Sequence, residues 1–134
     1  MSLDYWLFKH KPYLVDGLDK GIITIEETDV YNITHNLTVM AKKCSIPFQE
    51  SGYIQNQISL YDLLWRPFDN GFTKNDKIYL TTLLKLYQKL ENNLEYKKYE
   101  AENGWGTYEG LLNFVKNVVN LCMDNRGWYI NVSR

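Results

Sequence analysis

Cysteine occurs twice in 134 residues, histidine twice and proline three times. Cys44 and Cys122 both fall in apolar helical patterns, and no C-x-x-C is present. Two such thiols cannot supply the dense disulfide frame of a small secreted domain. They read as small buried hydrophobes, so a reducing, cytoplasmic setting is expected. A structural zinc site needs about four Cys or His ligands. The chain offers His10, His35, Cys44 and Cys122 at no ligand spacing, so no metal is expected. No apolar run reaches the length of a membrane span. The opening "MSLDYWLFKHK" has no basic stretch ahead of its apolar residues, so no signal peptide and no membrane partner are expected. Glycine-rich phosphate loops are missing. Gly104 and Gly106 flank Trp105 and fit neither a P-loop nor a dinucleotide fingerprint, so no cofactor is expected. Neither charge sign dominates, with 15 basic and 16 acidic residues. Nucleic-acid affinity needs an excess of Lys and Arg on one face. The balance argues against nucleic acid, and Lys42, Lys43, Lys97 and Lys98 read as solvated helix faces.

What is present suffices for a core. Hydrophobic residues make up 45% of the chain. A chain of this length buries roughly two-thirds of its unfolded surface. One globular domain over 1–134 is expected. In the first twenty residues "YWLF" is apolar, Pro12 interrupts, and "DGLDKG" holds two turn signals, so no element is assigned there. "IITIEE" and "DVYNIT" are rich in β-branched residues and predict strands at 22–26 and 29–34. Leu37, Met40, Ala41 and Cys44 recur at the helical period and predict a helix over 36–44. Residues 47–57 read as a loop.

Ser59 and Asp62 have capping-box spacing before a short helix that Pro67 stops. Thr73 and Asp76 repeat that spacing ahead of a helix to Glu91, whose stripe is Leu80, Leu83, Leu84, Leu86, Tyr87 and Leu90. Thr107 is placed to cap a final helix to Asp124. Its apolar residues cover more than half the circumference, so it should be central, with partners on several sides. Gly127 is the expected left-handed stop. "WYINVS" alternates Trp128, Ile130 and Val132 against polar positions and predicts a last strand. The sum is an α+β fold: a small antiparallel sheet of N-terminal strands plus the C-terminal strand, packed on a layer of three to four helices.

Two segments concentrate chemistry. In "VYNITHNLTVMAKK" (30–43), Thr34 or Asn36 can cap the following helix. That leaves Asn32 and His35 over. One reading is a strand-to-helix junction held by side-chain hydrogen bonds. The other is a small polar pocket with His35 as acid, base or ligand contact. In "NGWGTYEG" (103–110), Asn103, Trp105 and Tyr108 sit at a loop-to-helix junction, and the helix start can attract an anion. The bland reading, that Trp105 plugs the core from a tight turn, is preferred. "DGLDKGIITIEE" (16–27) matches four positions of a calcium loop, but Leu18 and Lys20 stand where oxygen ligands belong. A turn and a strand are expected there.

The N-x-T-x-N stretch "NITHNLTVM", the short helix "LYDLLWRP", "ENGWGTYEGLLNFV" and the closing "INVSR" together resemble a family of small uncharacterised bacterial and phage proteins. The resemblance covers about residues 30–134 and carries no activity or catalytic residue. Two functions remain. One is a non-enzymatic interaction or accessory protein of bacterial or phage origin with a protein partner. The alternative is a small-ligand-binding protein or enzyme. Its pocket would be built from residues 32–36 and 103–108: Asn32, Thr34, His35 and Asn36 with Asn103, Trp105 and Tyr108. Whether it is an enzyme stays open at this point.

Overall fold

Strand β1 (Ser2–Val15) is the spine of a four-stranded antiparallel sheet. The computed structural model describes residues 2–15, 18–48 and 56–134. Leu3, Tyr5 and Leu7 of β1 are fully buried, while Ser2, Asp4, Trp6 and Phe8 alternate onto the other face. Trp6 and Phe8 make that outer face apolar too, which hides the period of two from a reading of sequence. Pro12 does not break the strand. It pairs with Ile23 of β2 (Leu18–Glu27), and the register shifts between Pro12 and Leu14. Proline is tolerated there because β1 has lost its other neighbour: pairing with β6 (Tyr129–Ser133) ends at Phe8.

β3 (Tyr31–Thr34) pairs with Ser2–Tyr5 of β1. Both β2 and β3 share β1 residues with β6, so they follow each other along one edge and β6 takes the opposite edge. Between them the register slips by one residue, from Phe8 opposite Glu27 to Tyr5 opposite Tyr31. Thr28 bridges the slip. Its N–H donates to the Leu7 carbonyl at 2.9 Å, and its hydroxyl accepts from the Leu7 N–H at 3.0 Å. The predicted strands at 22–26 and 29–34 are these two, with β2 starting earlier and β3 later. The expected turn at Asp16 and Gly17 lies outside the described residues.

A short 3-10 turn (His35–Leu37) leads into α1 (Thr38–Lys43). The helix predicted from residue 36 therefore begins two residues later, because Thr34 caps the 3-10 segment instead. β4 (Ser45–Pro47) and β5 (Gln57–Ser59) then form a two-stranded antiparallel ribbon. This corrects the loop predicted over 47–57 at both its ends; residues 49–55 lie outside the description. α2 (Leu60–Leu64) carries both halves of the capping box. The Asp62 N–H donates to the Ser59 hydroxyl at 3.2 Å, and the Ser59 N–H to the Asp62 carboxylate at 2.9 Å.

α3 (Lys77–Glu91) is capped by Asp76, whose carboxylate accepts the Tyr79 N–H at 2.9 Å. Thr73 has no part in that cap, because the helix starts after Asp76. A 3-10 segment (Leu94–Tyr99) follows, and then α4 (Tyr108–Asp124), capped by the Thr107 hydroxyl. α4 packs against β1, β3 and α3, as its broad apolar surface requires. Gly127 takes a left-handed φ of 83° before β6, where Ile130 is buried. No helix among the described residues is long and apolar enough to cross a membrane.

Two buried polar devices tie the layers together. The Tyr79 hydroxyl donates to the Leu63 carbonyl at 2.9 Å and so accepts from the Tyr5 hydroxyl at 2.7 Å. Asn75, 1% exposed, donates from Nδ2 to the carbonyls of Cys122 and Asn125 at 2.7 and 3.0 Å.

Both thiols are buried and free. Burial pushes Cys44 up to about 11 and Cys122 up to about 12. Above the ordinary thiol value, the unfolded chain has lost protons that the native state keeps. Stability therefore falls as pH rises from about 9 through the folded values. Urea titrations at pH 7, 9 and 10.5 are expected to show a plateau and then a decline, and native protein should resist thiol reagents at neutral pH. Rapid labelling of both thiols without denaturant would contradict this burial.

Candidate functional site

The 32–36 stretch is largely occupied with holding itself. Asn32 is exposed on β3 and donates from Nδ2 to the Ser2 hydroxyl at 2.9 Å and to the Asp4 carboxylate at 2.6 Å. Thr34 adopts extended backbone, and its hydroxyl accepts the Asn36 N–H at 3.2 Å. Asn36 is exposed. His35 is different. Its Nδ1 accepts the indole N–H of Trp65 at 2.9 Å. An acceptor at Nδ1 puts the proton of a neutral imidazole on Nε2, which is left as a donor.

The 103–108 stretch is a tight loop. Asn103 accepts the Trp105 N–H with its side-chain oxygen at 3.0 Å. Gly104 has φ of 74°, a conformation glycine adopts without strain, and its N–H donates to the Ala101 carbonyl at 3.1 Å. The Ala101 N–H closes the loop onto the Gly106 carbonyl at 3.2 Å. Gly106 is buried against Leu37: an added Cβ would stand 3.0 Å from Leu37 Cγ and 3.4 Å from Asn36 Cβ. The two segments therefore touch.

Trp105 is not the core plug expected from the sequence; it is 76% exposed. The reason is tertiary. Leu37 fills the ground beneath the loop, and Gly106 is the residue that fits over it. Tyr108 turns inward instead. Its hydroxyl donates to the carbonyl of Leu90 and, at 3.3 Å, to that of Glu91, satisfying the end of α3.

His35 lines a cleft of about 470 Å³ with Thr38, Tyr61, Trp65, Arg66 and Arg134, none of them from the 103–108 loop. Trp65 is 2% exposed and forms the floor, with Tyr61 stacked on it at 5.9 Å. Arg66 donates from Nε to the Tyr61 hydroxyl at 3.3 Å and pairs with Asp69 at 3.5 Å. Lys42 lies over the Tyr61 ring, 4.6 Å from its centre. Lys43 and Lys98 share the Tyr99 ring at 5.9 and 5.2 Å, so these lysines cover aromatic faces as well as meeting solvent. Sequence reasoning reached His35 but not Trp65, Arg66 or Arg134. A lone Arg carries no spacing signal, and these residues meet only in the fold.

A larger cleft of about 700 Å³ opens at the start of α3, where Asp76 stands with Lys77 and Arg126. Among the described residues no group of three His, Cys, Asp or Glu could hold a metal ion.

These features define an α+β protein with a four-stranded antiparallel sheet, a presented tryptophan loop and a cation-rimmed cleft. Comparison with protein-family models, with curated proteins and with solved structures finds no match.

Proposed function

We propose that this chain is a non-enzymatic interaction protein that docks a protein partner through the 103–106 loop. An accessory role in a bacterium or phage accords with the resemblance of residues 30–134. The observation that carries the reading is the exposure of Trp105 on a loop whose backbone is already pinned. An indole this exposed leaves a large apolar surface uncompensated. Because the loop is pre-ordered, a partner that covers it does not pay the entropy of arranging it. Tryptophan is the residue type most often found to dominate interfaces, and exposed Asn36 and Asn103 can supply a polar rim.

The alternative of one small-ligand pocket across both segments has the contact of Gly106 with Leu37 in its favour. Against it, Asn32 is turned to Ser2 and Asp4, and Tyr108 is spent on the end of α3.

Trp105→Ala should leave the thermal midpoint nearly unchanged, since the side chain contributes little to the core. It should weaken partner binding by about 2–4 kcal/mol. Cross-linking and affinity capture from cell extract, with wild type and variant side by side, make the test. A partner that the folded variant retains at full strength would remove the loop from the interface.

A further inference from the structure

The cleft beside His35 is independent of the tryptophan loop, and its chemistry points to a ligand of its own. We infer that the cleft lined by His35, Thr38, Arg66 and Arg134 binds the phosphate group of a small molecule. Three observations on separate elements converge on this. Arg134 follows β6 and Arg66 follows α2, so two arginines from different parts of the fold line the cleft. Lys42 holds a third cation against Tyr61, which lines the same cleft. Asp69, on Arg66, is the acidic side chain paired within this group; neither Lys42 nor Arg134 has a side-chain carboxylate partner among the described residues.

The neutral donors complete the arrangement. The Trp65 indole N–H occupies Nδ1 of His35, so the ring faces any ligand as an Nε2–H donor. Thr38 adds a hydroxyl. An indole that is 2% exposed does not swing, and its hydrogen bond fixes the imidazole plane. Donor-bearing residues from the 3-10 turn, from α1 and from the ends that follow α2 and β6 line one cleft. That suits a tetrahedral oxyanion with three or four acceptor oxygens better than a planar carboxylate, which one arginine fork satisfies. Arginine forks are also the preferred partners of phosphate wherever geometry matters.

The test is a titration of the intact protein with inorganic phosphate at constant ionic strength, read by two-dimensional NMR at the Trp65 indole N–H and the His35 ring. A nucleoside monophosphate and acetate serve as parallel probes. Saturable shifts at both groups are expected with phosphate and not with acetate. The nucleoside monophosphate arm tells whether the group is taken free or as an ester, by which of the two binds more tightly. Arg66→Ala and Arg134→Ala alter exposed side chains and should each weaken binding about tenfold, while Lys98→Ala, beyond the cleft, should not change it. Equal shifts with acetate, or no shift at Trp65 with either phosphate probe, would overturn the inference. So would a single-stranded oligonucleotide that binds more tightly and loses affinity equally on Lys43→Ala and Lys98→Ala, because that result would make the lysines a polyanion track.

Discussion

Asn75→Ala is expected to destabilise the protein by about 3 kcal/mol, which for a chain of this size lowers the thermal midpoint by about 10 °C. Asn75 stands between the end of α4 and the start of β6. Its backbone N–H donates to the Trp128 carbonyl at 2.8 Å, and its carbonyl accepts from the Gly127 N–H at 2.8 Å. Those two bonds survive in the alanine variant. What is lost is Nδ2, which satisfies the Cys122 and Asn125 carbonyls at the helix end. The Cys122 carbonyl would then be left without its partner, at roughly 1–3 kcal/mol, whereas the Asn125 carbonyl keeps the Trp128 N–H at 3.3 Å, and a small void adds to the loss. Asn75→Asp should be worse at neutral pH. An ionised carboxylate has no proton to give and would face two carbonyl oxygens from a buried position. Urea unfolding of both variants measures the difference. Asn75→Ala within 0.5 kcal/mol of wild type would show that the side chain does not hold this junction.

The second large effect lies in the paired tyrosines, and it is asymmetric. Tyr79→Phe should cost about 2–3 kcal/mol, and Tyr5→Phe about 1 kcal/mol or less. The order of donors decides this. Tyr5 donates to Tyr79, and Tyr79 donates to the Leu63 carbonyl. Without the Tyr79 hydroxyl, both the Leu63 carbonyl and the Tyr5 hydroxyl lose their partner; the Cys122 sulfur at 3.9 Å is a weak substitute. Without the Tyr5 hydroxyl, Tyr79 still donates to Leu63. The double variant should be no worse than Tyr79→Phe alone, since removing both hydroxyls leaves one unsatisfied group and not two. Equal losses from the two single variants would show that the chain of donors runs otherwise. Burial, the leading cause, raises both phenols well above their ordinary value, so this pair stays protonated in the native state and adds to the alkaline loss of stability.

The sequence by itself determined the parts of the fold that rest on contacts three or four residues apart. α3 and α4 are legible from apolar periodicity, the start of α2 from Ser59 and Asp62, the start of α4 from Thr107, and the break before β6 from Gly127. The α+β class with an antiparallel sheet follows from the same patterns. The tertiary structure decided what depends on distant partners. β1 could not be assigned because Trp6 and Phe8 mask its alternation, and only its register with β2, β3 and β6 shows why Pro12 is tolerated. Trp105 faces solvent because Leu37, far back in the chain, already fills the place beneath its loop. Of the candidate residues, Thr34 and Tyr108 serve helix ends, whereas His35 gains its setting from Trp65, Arg66 and Arg134. Capping and periodicity act locally and leave a mark in any short window. A cleft gathered from four parts of the chain leaves none, since each of its residues is ordinary until the fold brings it beside the others.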